Sequence, residues 1–348
     1  MKAAAAALAI GFAAVSAQAQ QSPLSFEGKA PVMLIGFAPG GGTDLSGRLI
    51  AHFLARHLPG APTFVVRNMP GADGLTAGKF FASQIAPDGL TITMGASTQA
   101  DPLHYRKPQA GFDPTRFNLI GGIGRGGTVM IVNRDAEKRL RDKSRTPVAM
   151  GSLSGLPRSG MQMTTWGIEF LGWTARWVLG YPSTVELLTA LERDEIDMTA
   201  EAGMHNIIKF AANPKYRLLV QSGALENGRQ VPRREFGDAP LFANLMDGKI
   251  TDDVQAKAFA YWTSIATIDK WVALPPGTPQ PIVEMYRDTY AKVMRDPQFI
   301  ELGKRQSEDF TPMSHTDVGQ LMNTLGATPQ ASLDFINEMF RRQGLDAQ

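Results

Sequence analysis

Short apolar, β-rich runs alternate with helix-period segments along most of this chain, and that alternation limits its possible folds more than any other feature. The runs lie at 32–37, 63–67, 90–95, 129–132, 148–150 and 217–220, and helical spacing occupies about 43–58, 74–85, 160–171, 184–193 and 204–212 between them. Strands alternating with helices imply an α/β architecture, with a mostly parallel sheet and ligand loops at its carboxyl edge. A chain of 348 residues is long enough for two domains with separate cores. The segment 221–258, rich in charge, Gly and Asn, reads as loop with short helices, and a helical pattern from Gln280 ends at Asp296-Pro297.

The first residues, 1–19, carry Lys2, then an Ala-rich apolar stretch that ends in Ala17-Gln18-Ala19. This is the pattern of a secretory signal peptide cut before Gln20, which places the mature protein in the periplasm. No later segment reaches eighteen consecutive apolar residues, the length a spanning helix needs. The chain has no cysteine, so thiolate nucleophiles, thiolate metal sites and disulfides are excluded together. The formal charge is +2, and loss of Lys2 leaves 34 basic against 33 acidic residues. With the basic residues spread along the chain, no nucleic-acid partner is expected.

Signatures of enzymes are missing. There is no H-E-x-x-H, no G-x-x-x-x-G-K-[ST] and no G-x-S-x-G; in Gly151-Ser-Leu-Ser-Gly155 a leucine stands at the nucleophile's place. The five histidines, at 52, 57, 104, 205 and 315, lack metal-ligand spacing, so no metal and no cofactor is expected. Gly122-Ile-Gly124-Arg-Gly-Gly127 matches the dinucleotide fingerprint, but the following 128–133 reads as a strand where the fingerprint requires a helix. We read it as a glycine-rich crossover between domains.

The stretch Pro31–Gly60 combines a strand, a loop with Gly40, Gly41 and Gly42, and a helix. Such a loop suits an anion, because backbone N–H groups at a helix start point at whatever lies ahead of them. Thr43 or Asp44 is placed to cap the helix. Asp44 is assigned to capping because a carboxylate beside a bound anion would repel it.

Five segments in order carry a family resemblance: Pro39-Gly-Gly-Gly-Thr-Asp44 with Arg48, Val66-Arg-Asn-Met-Pro-Gly-Ala-Asp-Gly74, Ala86-Pro-Asp-Gly-Leu-Thr91, Ala190-Leu-Glu-Arg-Asp-Glu-Ile-Asp197 and Pro276-Gly-Thr-Pro279. Together they resemble the extracytoplasmic solute receptors of tripartite tricarboxylate transporters, the Bug/TctC-like proteins. The resemblance implies a type II periplasmic binding protein of two α/β domains that closes on a small organic carboxylate and delivers it to a membrane permease. It implies binding by Ala38, Pro39, Gly40, Gly41, Gly42 and Thr43, with Ser97 and Thr98 on the neighbouring loop and Ser152, Ser154 and Gly155 on the second domain. Tyr181 and Glu201 fall where the family's second-domain pocket residues lie. A core role for the Tyr181 ring and a rim position for Glu201 are the competing readings. Trp173 or Trp177 could line a cleft for an aromatic ligand, although core packing is the commoner use. Where the family shows Glu-Asn-Arg-Pro-Gly, this chain has Arg67-Asn-Met-Pro-Gly71.

The domains implied are 27–126 with 259–348, and 127–258, in a monomer. Capture without chemistry is the expected activity. The rival classes are an exported hydrolase-like or isomerase enzyme on an α/β scaffold, separable by a turnover screen on simple esters, and a ligand sensor for a membrane kinase. The export reading has its own check: intact mass of protein recovered from a periplasmic extract should correspond to a chain starting at Gln20, and a mass that includes Met1 would refute cleavage.

Overall fold

A computed structural model describes residues 25–153, 157, 159–181, 183–226, 229–307 and 310–345. The proposed signal peptide therefore lies outside the described residues. In chain order the strands are β1 (Val32–Ile35), β2 (Val65–Asn68), β3 (Thr91–Ala96), β4 (Asn118–Arg125), β5 (Val129–Asn133), β6 (Val148–Leu153), β7 (Ala175–Tyr181), β8 (Met198–Glu201), β9 (Tyr216–Gln221), β10 (Ala224–Glu226), β11 (Arg229–Val231), β12 (Ile268–Leu274) and β13 (Phe310–Ser314). They form two mixed sheets, ordered β13-β4-β12-β3-β1-β2 and β7-β6-β8-β5-β9, and a small hairpin of β10 and β11.

The expectation of a mostly parallel sheet needs correction. β1 runs parallel to β2 and β3, and β6 parallel to β7 and β8. These are the segments joined through helices, where a crossover returns the chain in the same direction. β12 is antiparallel to β3 and β4, and β5 is antiparallel to β8 and β9. Each is the strand by which the chain enters a sheet from the other one, so its direction is reversed. The order 2-1-3-n-4, with n the entering strand, therefore occurs in both sheets.

Glycines in β4 belong to a strand, not to the crossover inferred from sequence. A Cβ on Gly121 would lie 2.2 Å from the Tyr290 ring and one on Gly124 2.5 Å from Met313 Sδ. Their side chains are absent because neighbours occupy the space. Tyr290 is buried and donates its hydroxyl to Gly122 O at 2.6 Å, and Tyr286 donates to Gly89 O at 2.8 Å. These two residues from the helix Gln280–Val293 thus seat one face of the first sheet while their polar ends are satisfied.

A second apolar region contains rings from three helices: Trp166 (Gln162–Phe170), Phe259 and Trp262 (Asp253–Thr267) and Phe335 (Gln330–Arg342). Ring centroids lie 5.0 Å apart for Trp166 and Phe259, and 5.8 Å for Trp166 and Trp262. The carboxyl-terminal helix is further tied to the second sheet's helix layer by Arg342 to Glu169 at 2.8 Å and Gln343 Nε2 to Thr165 O at 2.9 Å.

The chain leaves the first sheet through Gly126-Gly127-Thr128. Thr128 N–H donates to Ser222 Oγ and Ser222 N–H to Thr128 O, both at 2.9 Å. Gly127 has φ of +87°, and a Cβ there would meet Gly223 O at 2.2 Å. Backbone blocks that space, and no side chain can move aside. Gly127→Ala should cost at least about 2 kcal/mol through left-handed strain and the overlap; urea unfolding checks it, and an unchanged midpoint would refute this crossing.

Candidate functional site

The loop after β1 is held by one buried carboxylate. Gly41 is the N-cap of the helix Gly42–His57, without a side-chain hydrogen bond. Asp44 lies inside the first turn and reaches back, accepting from Gly40 N–H at 2.8 Å. The same oxygen accepts from Arg48 Nε at 2.9 Å, while Oδ1 accepts from Asn68 Nδ2 at 2.9 Å. Asn68 Nδ2 also donates to Phe37 O at 2.9 Å. The capping role expected of Thr43 or Asp44 is therefore corrected: Asp44 ties the loop to the helix and to the end of β2.

Burial works against ionisation of Asp44. The hydrogen bonds from Arg48, the Gly40 amide and Asn68 outweigh it and hold the carboxyl below its ordinary range. Because the side chain has turned backwards, the N–H groups of Gly42, Thr43 and Asp44 have no acceptor among the described residues. They form the positive end of a sixteen-residue helix dipole. Ala38, Pro39, Gly40, Gly41 and Gly42 are exposed and Thr43 is half-buried. Arg48 is spent on Asp44 and Asn68.

Two further loops reach the same sheet edge. A Cβ on Gly36 would stand 3.0 Å from Gly74 Cα, so the loops after β1 and β2 touch through glycine. Ala72 and Asp73 have φ of 47° and 52°, left-handed conformations that non-glycine residues rarely adopt. Thr98 donates its hydroxyl to Asp73 O at 3.2 Å, and the buried Gln99 bonds both Ala96 N–H and Gly74 O. Ser97 opens this third loop and is half-buried. Ala38 to Thr43, Ser97 and Thr98 thus gather at one edge. The bracing roles of Asn68 and Gln99 were missed from sequence; the only signal was a polar residue standing at a strand end beside Pro-Gly or Ser-Thr.

At the carboxyl edge of the second sheet Leu153 pairs with Tyr181 across β6 and β7. Ser152 is buried, with its hydroxyl 3.3 Å from Met161 Sδ. Tyr181 packs against the cluster containing Leu187 and Ile196, and burial, with Glu195 nearby, raises its hydroxyl pKa. Glu201 is buried at the end of β8, not at the rim. Its carboxylate accepts from the Ala202 and Gly203 amides, both at 2.7 Å, and from Asn206 Nδ2 at 3.0 Å. Ser154 and Gly155 lie outside the described residues. Trp173 is buried against Phe242, and Trp177 donates to Gln343 at 3.3 Å.

Among the described residues no group of three or more His, Asp or Glu side chains could hold a metal ion, and no helix is long and apolar enough to cross a membrane. At the opposite end of the second sheet Arg134, Lys138, Arg139, Arg145 and Lys215 do gather along one groove, interleaved with Asp135, Glu137, Asp194 and Asp197.

A TctC solute binding protein from Polaromonas matches with a TM-score of 0.66 over 90% of this chain and 98% of that one, at 17% identity. The chain has the fold of that solute-binding protein. An R. palustris protein solved with adipate matches with a TM-score of 0.50 over 91% and 98% of the two chains, at 20% identity. In sequence, 126 residues are 39% identical to the UPF0065 protein in the gbd 5' region of Cupriavidus necator. That match spans 34% of this chain and 36% of the relative. No protein-family model matches. The α/β fold that the sequence motifs imply is thus the fold of the Polaromonas protein.

Asp44→Ala should lower stability by about 2–3 kcal/mol near neutral pH, the scale of hydrogen bonds to a buried charge. Because the folded-state pKa is depressed, this contribution is present above the unfolded-state pKa and is lost as pH falls through the folded one. Urea unfolding of both proteins from neutral to acid pH should show the difference shrinking toward the acid end. A pH-independent difference would refute the ionised clamp.

Proposed function

We propose that this chain is an extracytoplasmic solute receptor that binds a small organic carboxylate between two lobes, 27–126 with 259–348 and 127–258. It works as a periplasmic monomer and hands its ligand to the integral-membrane subunits of a tripartite tricarboxylate-type transporter. No bond of the ligand changes. The adipate-bound R. palustris structure supports the ligand class. The whole-chain likeness to the Polaromonas protein supports the architecture.

One observation carries the reading: the helix Gly42–His57 starts with unsatisfied amides because Asp44, its own acid, is locked behind them. A carboxylate in front of Gly42 and Thr43 accepts those N–H groups and meets the positive end of the dipole. Partial charges spread over a backbone loop neutralise an anion without demanding one side-chain geometry, and bridging water can fit acids of different length. In lobe one, Ala38 to Thr43 would hold one carboxylate, with Ser97 and Thr98 beside it. In lobe two, the segment from Ser152 to Gly155 and the Tyr181 hydroxyl would close over the ligand, and Glu201 would shape that loop edge through the amides it holds.

Melting-temperature shifts across mono-, di- and tricarboxylates should identify the ligand, which at a hundredfold excess over Kd adds about 2.7 kcal/mol. Gly41→Val isolates the loop. Gly41 has φ of −76°, and a Cβ there lies 3.5 Å from Ala38 O, an ordinary contact. Valine therefore fits the fold while crowding the amides. Calorimetry with the best acid from the screen should show affinity at least about tenfold weaker, a loss of roughly one charge-assisted hydrogen bond. Unchanged affinity would refute binding at this loop.

A further inference from the structure

Where the chain crosses between its sheets there is a small cavity that the glycine loop does not line. Arg125, Gly127, Ser222, Gln230, Phe242 and Trp262 are among its lining residues. It measures about 20 Å³, room for the centre of one water or one small ion, since a water requires roughly 10–15 Å³ on this measure.

Two independent observations bear on its occupant. Trp262 is only 3% exposed, and its Nε1–H has no hydrogen-bond partner among the described residues. A buried indole N–H ordinarily finds an acceptor, and one without a protein partner calls for a water or an ion. The nearby hydroxyls of Thr263 and Thr267 donate within their own helix, to Ala260 O and Thr263 O.

Charge is the second observation. The lining includes Arg125 and no Asp or Glu residue. Asp269 stands 3.5 Å from Arg125 Nη2 and is shared with Lys270. Two cations thus lean on one carboxylate, and the arginine is only 29% exposed, so one positive charge is left partly desolvated beside the cavity. Water would accept from the indole but would leave that charge and bring two protons of its own. An anion answers both.

We propose that this cavity is a second binding site, for one monovalent anion of about chloride size, held by Trp262 Nε1–H and the Arg125 guanidinium. Because Gly127 and Ser222 belong to the crossing segments and Trp262 to the helix Asp253–Thr267, a bound anion ties the crossing to that helix. None of the residues 38–43, 97 and 98 lines the cavity.

Thermal unfolding in sodium chloride tests it, with ionic strength held constant by sodium methanesulfonate, whose anion exceeds the cavity and is not a carboxylate. The wild-type melting temperature should rise with chloride and, above Kd, keep climbing with the logarithm of its concentration, as binding to the folded state requires. Trp262→Phe keeps a ring against Trp166, Phe242 and Phe259 and removes only the donor; it should lose the rise, and Arg125→Gln, as a second variant, should reduce it. Gly41→Val should retain it, which separates this site from the glycine loop. In bromide-soaked crystals of the wild type an anomalous peak should stand within hydrogen-bonding reach of Trp262 Nε1. An equal chloride response in both cavity variants, or a map with water and no bromide there, would overturn the proposal.

Discussion

The carboxylate of Asp44 is the tie on which the carboxyl edge of the first sheet depends. It is almost wholly buried, yet it gathers the Gly40 amide, Arg48 and Asn68 and thereby fixes a loop, a helix turn and a strand end relative to one another. A charge that far from water is tolerated only when its lone pairs are occupied. The side chain that could have capped the helix is consumed in the loop behind it, which leaves the helix start free to meet an external anion. The second sheet repeats the device in another form: Glu201 folds onto the amides of Ala202 and Gly203 at the head of the helix Met204–Ala211.

The two sheets share one strand order although their sequences differ, because each is entered by a strand arriving from the other. The crossing is correspondingly tight. Gly127 and Gly223 approach through backbone, and Arg233 donates to Gly126 O at 2.9 Å. The long helix Asp253–Thr267 carries Phe259 and Trp262 into the aromatic group that also receives the carboxyl-terminal helix.

Much of the strand and helix succession was legible, because parallel strands joined through helices leave the alternation of period that the residues 32–96 display. The antiparallel members were not. β4 contains Gly121, Gly122 and Gly124, which carry no β signal of their own, and the Tyr290 ring, the Lys270 carbonyl and Met313 on the folded protein explain them in turn. The hairpin at 224–231 and the first turns of the helix Asp253–Thr267 fell within 221–258, whose charge and glycine content read as loop with short helices. At the site, the glycine loop was legible as an anion cradle from its residue types alone. The identity of its brace was not, since Asn68 and Asp44 are twenty-four positions apart and meet only through the pairing of β1 with β2. Glu201 was misplaced at the rim for the same reason: a carboxylate that binds its own following amides looks, in sequence, like one free to bind something else.

The central claim is that backbone amides at the start of the helix Gly42–His57 receive a carboxylate. Amide resonances report this directly. In heteronuclear correlation spectra of the isotope-labelled protein, the N–H signals of Gly42 and Thr43 should move downfield as the carboxylate selected by melting-temperature screening is added, while the Gly40 amide, already bonded to Asp44, moves little. If the acid binds and the signals of Gly42 and Thr43 stay in place, the carboxylate is held elsewhere and the account fails.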